Sequence, residues 1–145
     1  MAATPTNVRY GLSVANRDQL EDMLARNYRA YASMDIETID RLASDQVIMH
    51  IPGNHPLSGR HVGREAAWAY LGKVAEVSGG VGGFDVRTIS ADEDGHGTAI
   101  LVGTIRDFVR PVVHIWRAEG DQFIEYWEHS FDQNAEDAFW NAALA

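Results

Sequence analysis

Val112-Val113-His114-Ile115-Trp116-Arg117, then Ala118-Glu119-Gly120-Asp121, then Gln122-Phe123-Ile124-Glu125-Tyr126-Trp127-Glu128-His129-Ser130 is the stretch whose reading decides the fold. Two runs rich in β-branched and aromatic residues flank a short segment with Gly and Asp, the pattern of a β-hairpin. Pairing Arg117 with Gln122 across the turn sets His114 opposite Glu125 and Val112 opposite Trp127. One face then carries His114, Trp116, Phe123, Glu125, Trp127 and His129. The other carries Val113, Ile115, Ile124 and Tyr126. Both faces are partly apolar, so alternation alone does not say which is interior. The first is expected to line a pocket, because ionisable groups among aromatic rings make a usable site.

Upstream, the period-two pattern continues. Residues 84–91 and 97–106 read as strands joined by the turn Asp92-Glu93-Asp94-Gly95,. Pro111 lacks a ladder N–H and is expected to open the next strand. Earlier the period changes. Leu20, Leu24, Tyr28 and Tyr31 recur at helical spacing, with Asn16 or Asp18 as the cap,. Residues 36–43 read as a short helix capped by Asp35, and 46–51 as a strand. The next stretch, with Pro52, Gly53, Pro56, Gly59 and Gly63, reads as a loop,. Residues 64–77 read as a third helix, ended by the Gly-rich run 79–83, and a short helix closes the chain at 134–144. Helices followed by a run of strands predict an α+β domain, with three N-terminal helices packed in a curved, mostly antiparallel sheet. A sheet that curls around them encloses a pocket.

The chain has 145 residues, enough for one domain with a sizeable core,. Its 21 acidic residues against 12 Lys and Arg give a net charge of −9. That argues against nucleic acid and against an anionic membrane surface, both of which need a basic face. A neutral organic ligand fits better. There is no cysteine, which removes disulfides, thiol nucleophiles and thiolate metal sites,. No stretch approaches the ~20 apolar residues of a membrane span, and no signal sequence is read at the start. A cytoplasmic protein is expected.

The string His50-Ile51-Pro52-Gly53-Asn54-His55-Pro56-Leu57-Ser58-Gly59 resembles the loop after the first strand of SnoaL-like proteins. His61-Val62-Gly63-Arg64-Glu65-Ala66 resembles the start of that family's third helix. Val113-His114-Ile115-Trp116-Arg117 and Ile124-Glu125-Tyr126-Trp127-Glu128 resemble its last hairpin. The resemblance covers roughly residues 20–131. It implies a cone-shaped α+β barrel similar to nuclear transport factor 2, usually dimeric and without a cofactor. It makes residues 1–145 a single domain, with 1–15 a loose tail and 131–145 a short terminal helix. The superfamily includes polyketide cyclases, ketosteroid isomerases and scytalone dehydratases. In the isomerases an Asp base precedes a Pro and Gly at the end of the first strand, where this chain has His50, with Ile51 a one-residue alternative. A second Asp, shortly before an Arg on the penultimate strand, corresponds to His114. The isomerase helix tyrosine has a counterpart in Tyr28.

The expected function is a cofactor-independent acid–base enzyme acting on a small hydrophobic carbonyl compound, of isomerase, cyclase or dehydratase type. The alternative is a non-catalytic small-molecule-binding or dimeric interaction module of the same fold. A histidine facing a carboxylate is held in one tautomer and serves as a base at cellular pH. His114 is the expected base, Glu125 its orienting partner, and His50 or Tyr28 the second proton or hydrogen-bond donor. Trp68, Trp116, Phe123, Trp127 and His129 are the expected substrate-binding residues. The expected cavity is at least ~300 Å³, the low end for ligand pockets. His50, His55 and His61 match no zinc spacing, so no metal is expected.

Overall fold

The computed structural model describes residues 8–9, 12–13, 15–80 and 83–145. Of the stretch read as a loose tail, β1 (Val8–Arg9) and β2 (Leu12–Ser13) pair antiparallel; residues 1–7, 10–11 and 14 lie outside the described residues, as do 81–82 in the Gly-rich run. Helix α1 (Arg17–Ser33) starts at Asn16, whose side-chain oxygen accepts the Gln19 N–H at 2.9 Å,. Its Leu20, Met23, Leu24 and Tyr28 stripe is buried. Helix α2 (Ile36–Leu42) is capped by Asp35 and buries Ile39 and Leu42. Strand β3 (Ala43–Ile51) turns Val47, Met49 and Ile51 inward. Within the stretch read as a loop, residues Gly59–Val62 form β4, an edge strand antiparallel to β3. Its short length and single apolar side chain, Val62, hid it from a periodicity reading.

Helix α3 (Arg64–Ser78) precedes β5 (Gly83–Ala91), β6 (His96–Ile105), β7 (Phe108–Glu119) and β8 (Gln122–Ser130). Helix α4 (Gln133–Ala143) ends the described fold, capped by the Asp132 side chain on Ala135 N–H at 3.1 Å. The order in the sheet is β4-β3-β8-β7-β6-β5, antiparallel throughout except where β3 lies parallel to β8. The result is the expected cone: a curved, unclosed mixed sheet with helices in its concavity. Close approach is enforced at Gly97, where a Cβ would stand 2.5 Å from Leu24 Cδ1 on α1,.

Two strand expectations change. Pro111 does not open β7, which begins at Phe108. Phe131 N–H donates to the Pro111 carbonyl at 3.1 Å, past the end of the β8 ladder at Ser130. The proline nitrogen points the same way as its carbonyl, toward residue 131 beyond the β8 ladder and away from β6, so no bond to β6 is lost,. In the last hairpin, Ala118 pairs with Phe123 but Arg117 pairs with Glu125. Ile124 is therefore the extra residue of a β-bulge. One inserted residue reverses the facing of everything beyond it. His114 pairs with Glu128, not Glu125, and Trp116 pairs with Tyr126.

Candidate functional site

The bulge sorts the hairpin into two new faces. Arg110, Val112, His114 and Trp116 of β7 share the concave face with Tyr126 and Glu128 of β8. All of these but Val112 line a cavity of about 100 Å³, with Tyr28 and Tyr31 from α1, Met49 from β3, Tyr70, Leu71 and Val74 from α3, and Trp140 from α4. The volume falls short of the expected ~300 Å³, because four tyrosines and two tryptophans fill the cone from its walls.

One polar chain crosses this apolar space. The Trp116 indole N–H donates to Tyr28 Oη at 3.0 Å. Tyr28 Oη lies 2.8 Å from His114 Nδ1. An indole can only donate, so the neutral pair is best satisfied with the Tyr28 proton directed at Nδ1 and the ring hydrogen on Nε2. His114 Nε2 stands 3.4 Å from Glu128 Oε1. That is an electrostatic contact and too long for a well-formed hydrogen bond, so buried Nε2 has no hydrogen-bond partner,. Tyr126 Oη donates to Glu128 Oε1 at 2.9 Å. Arg110 reaches Glu128 Oε2 at 3.2 Å, and its Nε donates to Glu136 Oε1 at 2.7 Å. The Trp140 indole also donates to Glu136, at 3.3 Å.

Burial opposes a charge on Glu128, yet the His114 ring, the Arg110 guanidinium and the Tyr126 hydroxyl outweigh it and hold its pKa at about 2,. Burial also opposes the charge of Arg110, and the Glu128 and Glu136 carboxylates more than offset it, so its pKa is raised. Burial raises Tyr28, and its phenol stays protonated. Because Glu128 is more acidic folded than unfolded, its contribution to stability is complete above about pH 4.5 and is lost as pH falls from there toward 2,. Thermal midpoints measured between pH 6 and pH 3 should therefore fall more steeply for the wild type than for Glu128→Gln. Parallel slopes would show that Glu128 carries no such linkage.

Several expected site residues stand elsewhere. His50 and Glu125 meet each other, Nε2 to Oε2 at 2.6 Å, on the convex face of the sheet. There Glu125 also takes Arg117 at 3.3 Å, and the His50 ring stacks on Trp127 at 5.1 Å. His129 is exposed beside Val113 on the same side. His50 therefore does not converge with His114: Met49 is the inward residue of β3 at this level, and its neighbour must face out,. Phe123 is core, 1% exposed and packed on Trp116. Trp68 donates to Asp40 at 3.0 Å and lines a separate cavity of about 30 Å³. Only His114, Tyr28 and Trp116 of the expected set reach the main cavity. Glu128, Arg110 and Glu136 were missed. A signal existed for Arg110, which shares strand parity with His114, but it was hidden by placing the strand start at Pro111. Among the described residues no group of three or more His, Asp or Glu could hold a metal ion.

Residues 24–126 match the SnoaL-like domain. The chain belongs to the SnoaL-like family. No curated protein matches it. Among solved structures it is similar to Bal32a from a soil-derived mobile gene cassette, at 26% identity and TM-score 0.80, over 85% of this chain and 97% of that one. It is also similar to a Xanthomonas campestris protein of unknown function with a cystatin-like fold, at 30% identity and TM-score 0.72, over 87% and 98%. An NTF2-like protein from Burkholderia xenovorans, at 16% identity and TM-score 0.67 over 87% and 98%, shares the fold. In this SnoaL-like cone the cavity sits between the helices and the concave sheet face. No helix among the described residues is long and apolar enough to cross a membrane.

Proposed function

We propose that this SnoaL-like protein is a cofactor-independent enzyme that moves a proton on a small hydrophobic carbonyl compound, by isomerisation, cyclisation or dehydration. One observation carries the reading. His114 is part-buried at the wall of a largely apolar cavity, with Tyr28 Oη on Nδ1 at 2.8 Å and Glu128 beside Nε2 at 3.4 Å. A hydroxyl, an imidazole and a carboxylate in line form a proton relay, the logic of an activated hydroxyl generalised. A C–H beside the carbonyl gives its proton to Tyr28 Oη as the Tyr28 proton passes to His114 Nδ1. The C–H electron pair becomes the enolate, and the imidazolium formed faces Glu128. Return of the proton to another carbon completes an isomerisation. Expulsion of a β-hydroxyl, which takes the stored proton and leaves as water, completes a dehydration. Attack of the enolate carbon on a second carbonyl, whose oxygen takes the proton, completes a cyclisation. Glu128 takes the orienting role first expected of Glu125.

The test needs no native substrate. Small cyclic ketones and enones in D₂O, followed by NMR, should take up deuterium beside the carbonyl faster with the protein present. No acceleration across the panel would overturn the enzyme reading. It would favour the second reading, a non-catalytic small-molecule-binding or interaction module, which the small cavity of about 100 Å³ supports.

We further propose that the protein works in the cytoplasm, as the lack of cysteine suggests,, and as a homodimer. Ile100, Val113, Ile115 and Trp127 give the convex face an apolar character around the His50–Glu125–Arg117 seam. Light scattering at micromolar concentration should report twice the 16.1 kDa chain mass. A value near a single chain would refute it.

A further inference from the structure

The main cavity has a neighbour. The second cavity, of about 30 Å³, lies between α2, α3 and the sheet. Four residues line both spaces: Tyr31 from α1, Met49 from β3, Leu71 from α3 and Trp116 from β7. A residue that lines both is the wall between them, so the two spaces are one side chain apart. Met49 is the adaptable part of that wall. Its unbranched thioether side chain has three rotatable bonds and re-packs readily around a neighbour.

Arg64, the first residue of α3, lines this second cavity. Its Nη2 donates to the Ala43 carbonyl at 2.5 Å. Its Nη1 pairs with Asp45 at 2.9 Å and with Asp40 at 3.5 Å. Its Nε is buried and, among the described residues, has no hydrogen-bond partner. A buried donor left unpaired is unfavourable and rare. The guanidinium charge already faces two carboxylates, so an anionic group arriving there would meet net repulsion. A neutral oxygen with a free lone pair suits Nε. On the scale where about 10–15 Å³ holds one water, the second cavity admits about two or three non-hydrogen atoms, and the two spaces together roughly ten.

We propose that the two cavities form one extended site for an unbranched, mostly apolar molecule whose far end places a neutral acceptor oxygen on Arg64 Nε. This rests on the main cavity as the ligand site named above and narrows its substrate class. The carbonyl end lies by His114, the alkyl chain passes Met49 and Leu71, and the second oxygen ends in the smaller space. Arg64 is then a specificity-determining residue remote from the reacting carbon. None of this depends on proton transfer at His114.

The probes are 2-pentanone, 2-nonanone and 7-methoxyheptan-2-one. The first is short enough for the main cavity alone. The other two share one length and differ by an ether oxygen in place of a CH₂ group near the far end. NMR titration of the full chain should show 2-nonanone binding at least about tenfold tighter than 2-pentanone, as its added methylenes are buried. Ala43→Val adds two methyl groups to the wall of the second cavity and should shrink that ratio. Arg64→Met should weaken the ether about tenfold relative to 2-nonanone. If Arg64→Met fails to fold, Arg64→Lys keeps the charge, puts a CH₂ group where Nε stood and reads the same ratio. Four results would overturn the extended site: no binding of any probe, no chain-length preference in the wild type, a preference untouched by Ala43→Val, or an ether ratio untouched at Arg64. The last would make an ordered water the partner of Nε. Both preferences with no deuterium exchange in any probe would sink only the proton-transfer reading; exchange without the preferences would sink only the extended site.

Discussion

His114→Ala is expected to lower catalysed deuterium exchange by about 10²–10⁴-fold, the usual contribution of a positioned acid–base group. The substitution removes the store for the transferred proton and leaves Tyr28 with nothing to pass its own proton to. Stability should change little. The side chain borders an existing cavity, and Trp116 still donates to Tyr28. A loss of about 1 kcal/mol is expected for the missing hydrogen bond, read as a drop of a few degrees in thermal midpoint. His114→Asp should not restore the rate, since its carboxylate would face Glu128 and like charges in one site repel. His50→Ala and Glu125→Ala serve as controls: both side chains lie on the convex face, and exchange should be unaltered. Unchanged exchange in His114→Ala, or loss in His50→Ala, would refute the assignment.

Arg110→Met should have the largest effect on folding. Among the described residues Arg110 is the only Arg or Lys bonded to buried Glu128 and Glu136, which are 7% and 2% exposed. Removing one partner of a buried ion network costs about 3–5 kcal/mol, because the remaining charges stay desolvated and uncompensated. For a domain of this length that is a fall of roughly 10 °C or more in thermal midpoint. Scanning calorimetry decides it. The pH dependence gives a second signature. Without Arg110 the two carboxylates are harder to ionise in the folded state than in the unfolded chain. The variant is then penalised most at neutral pH, and its deficit against the wild type should narrow as pH falls toward 4. A variant within about 2 °C of the wild type at pH 7 would show that the network contributes little.

The α+β class, the helix order and the strands of the second half follow from periodicity alone. Apolar spacing in residues 17–33 and alternation from residue 84 onward are local properties. The caps Asn16, Asp35 and Asp132 are equally local, since each acts on an N–H three residues away. His114 and Tyr28 were legible as candidates because ionisable or phenolic groups among apolar neighbours stand out in any window. The short strand β4 was not, because four residues with a single apolar side chain carry no period.

The partners of those candidates were decided only by tertiary structure. A single bulge at Ile124 turns Glu125, Trp127 and His129 outward and brings Tyr126 and Glu128 in. Strand side chains alternate with period two, so a one-residue insertion exchanges the faces completely while leaving composition and alternation unchanged. The parallel pairing of β3 with β8 then fixes His50 beside Glu125 on the outside. Glu136 meets Arg110 across 26 residues of chain, a contact no local pattern encodes. By itself the sequence determined which segments are helix and strand and that His114 sits among aromatics. Which carboxylate faces it was settled by register, because side-chain partners across a sheet depend on pairing and not on order along the chain.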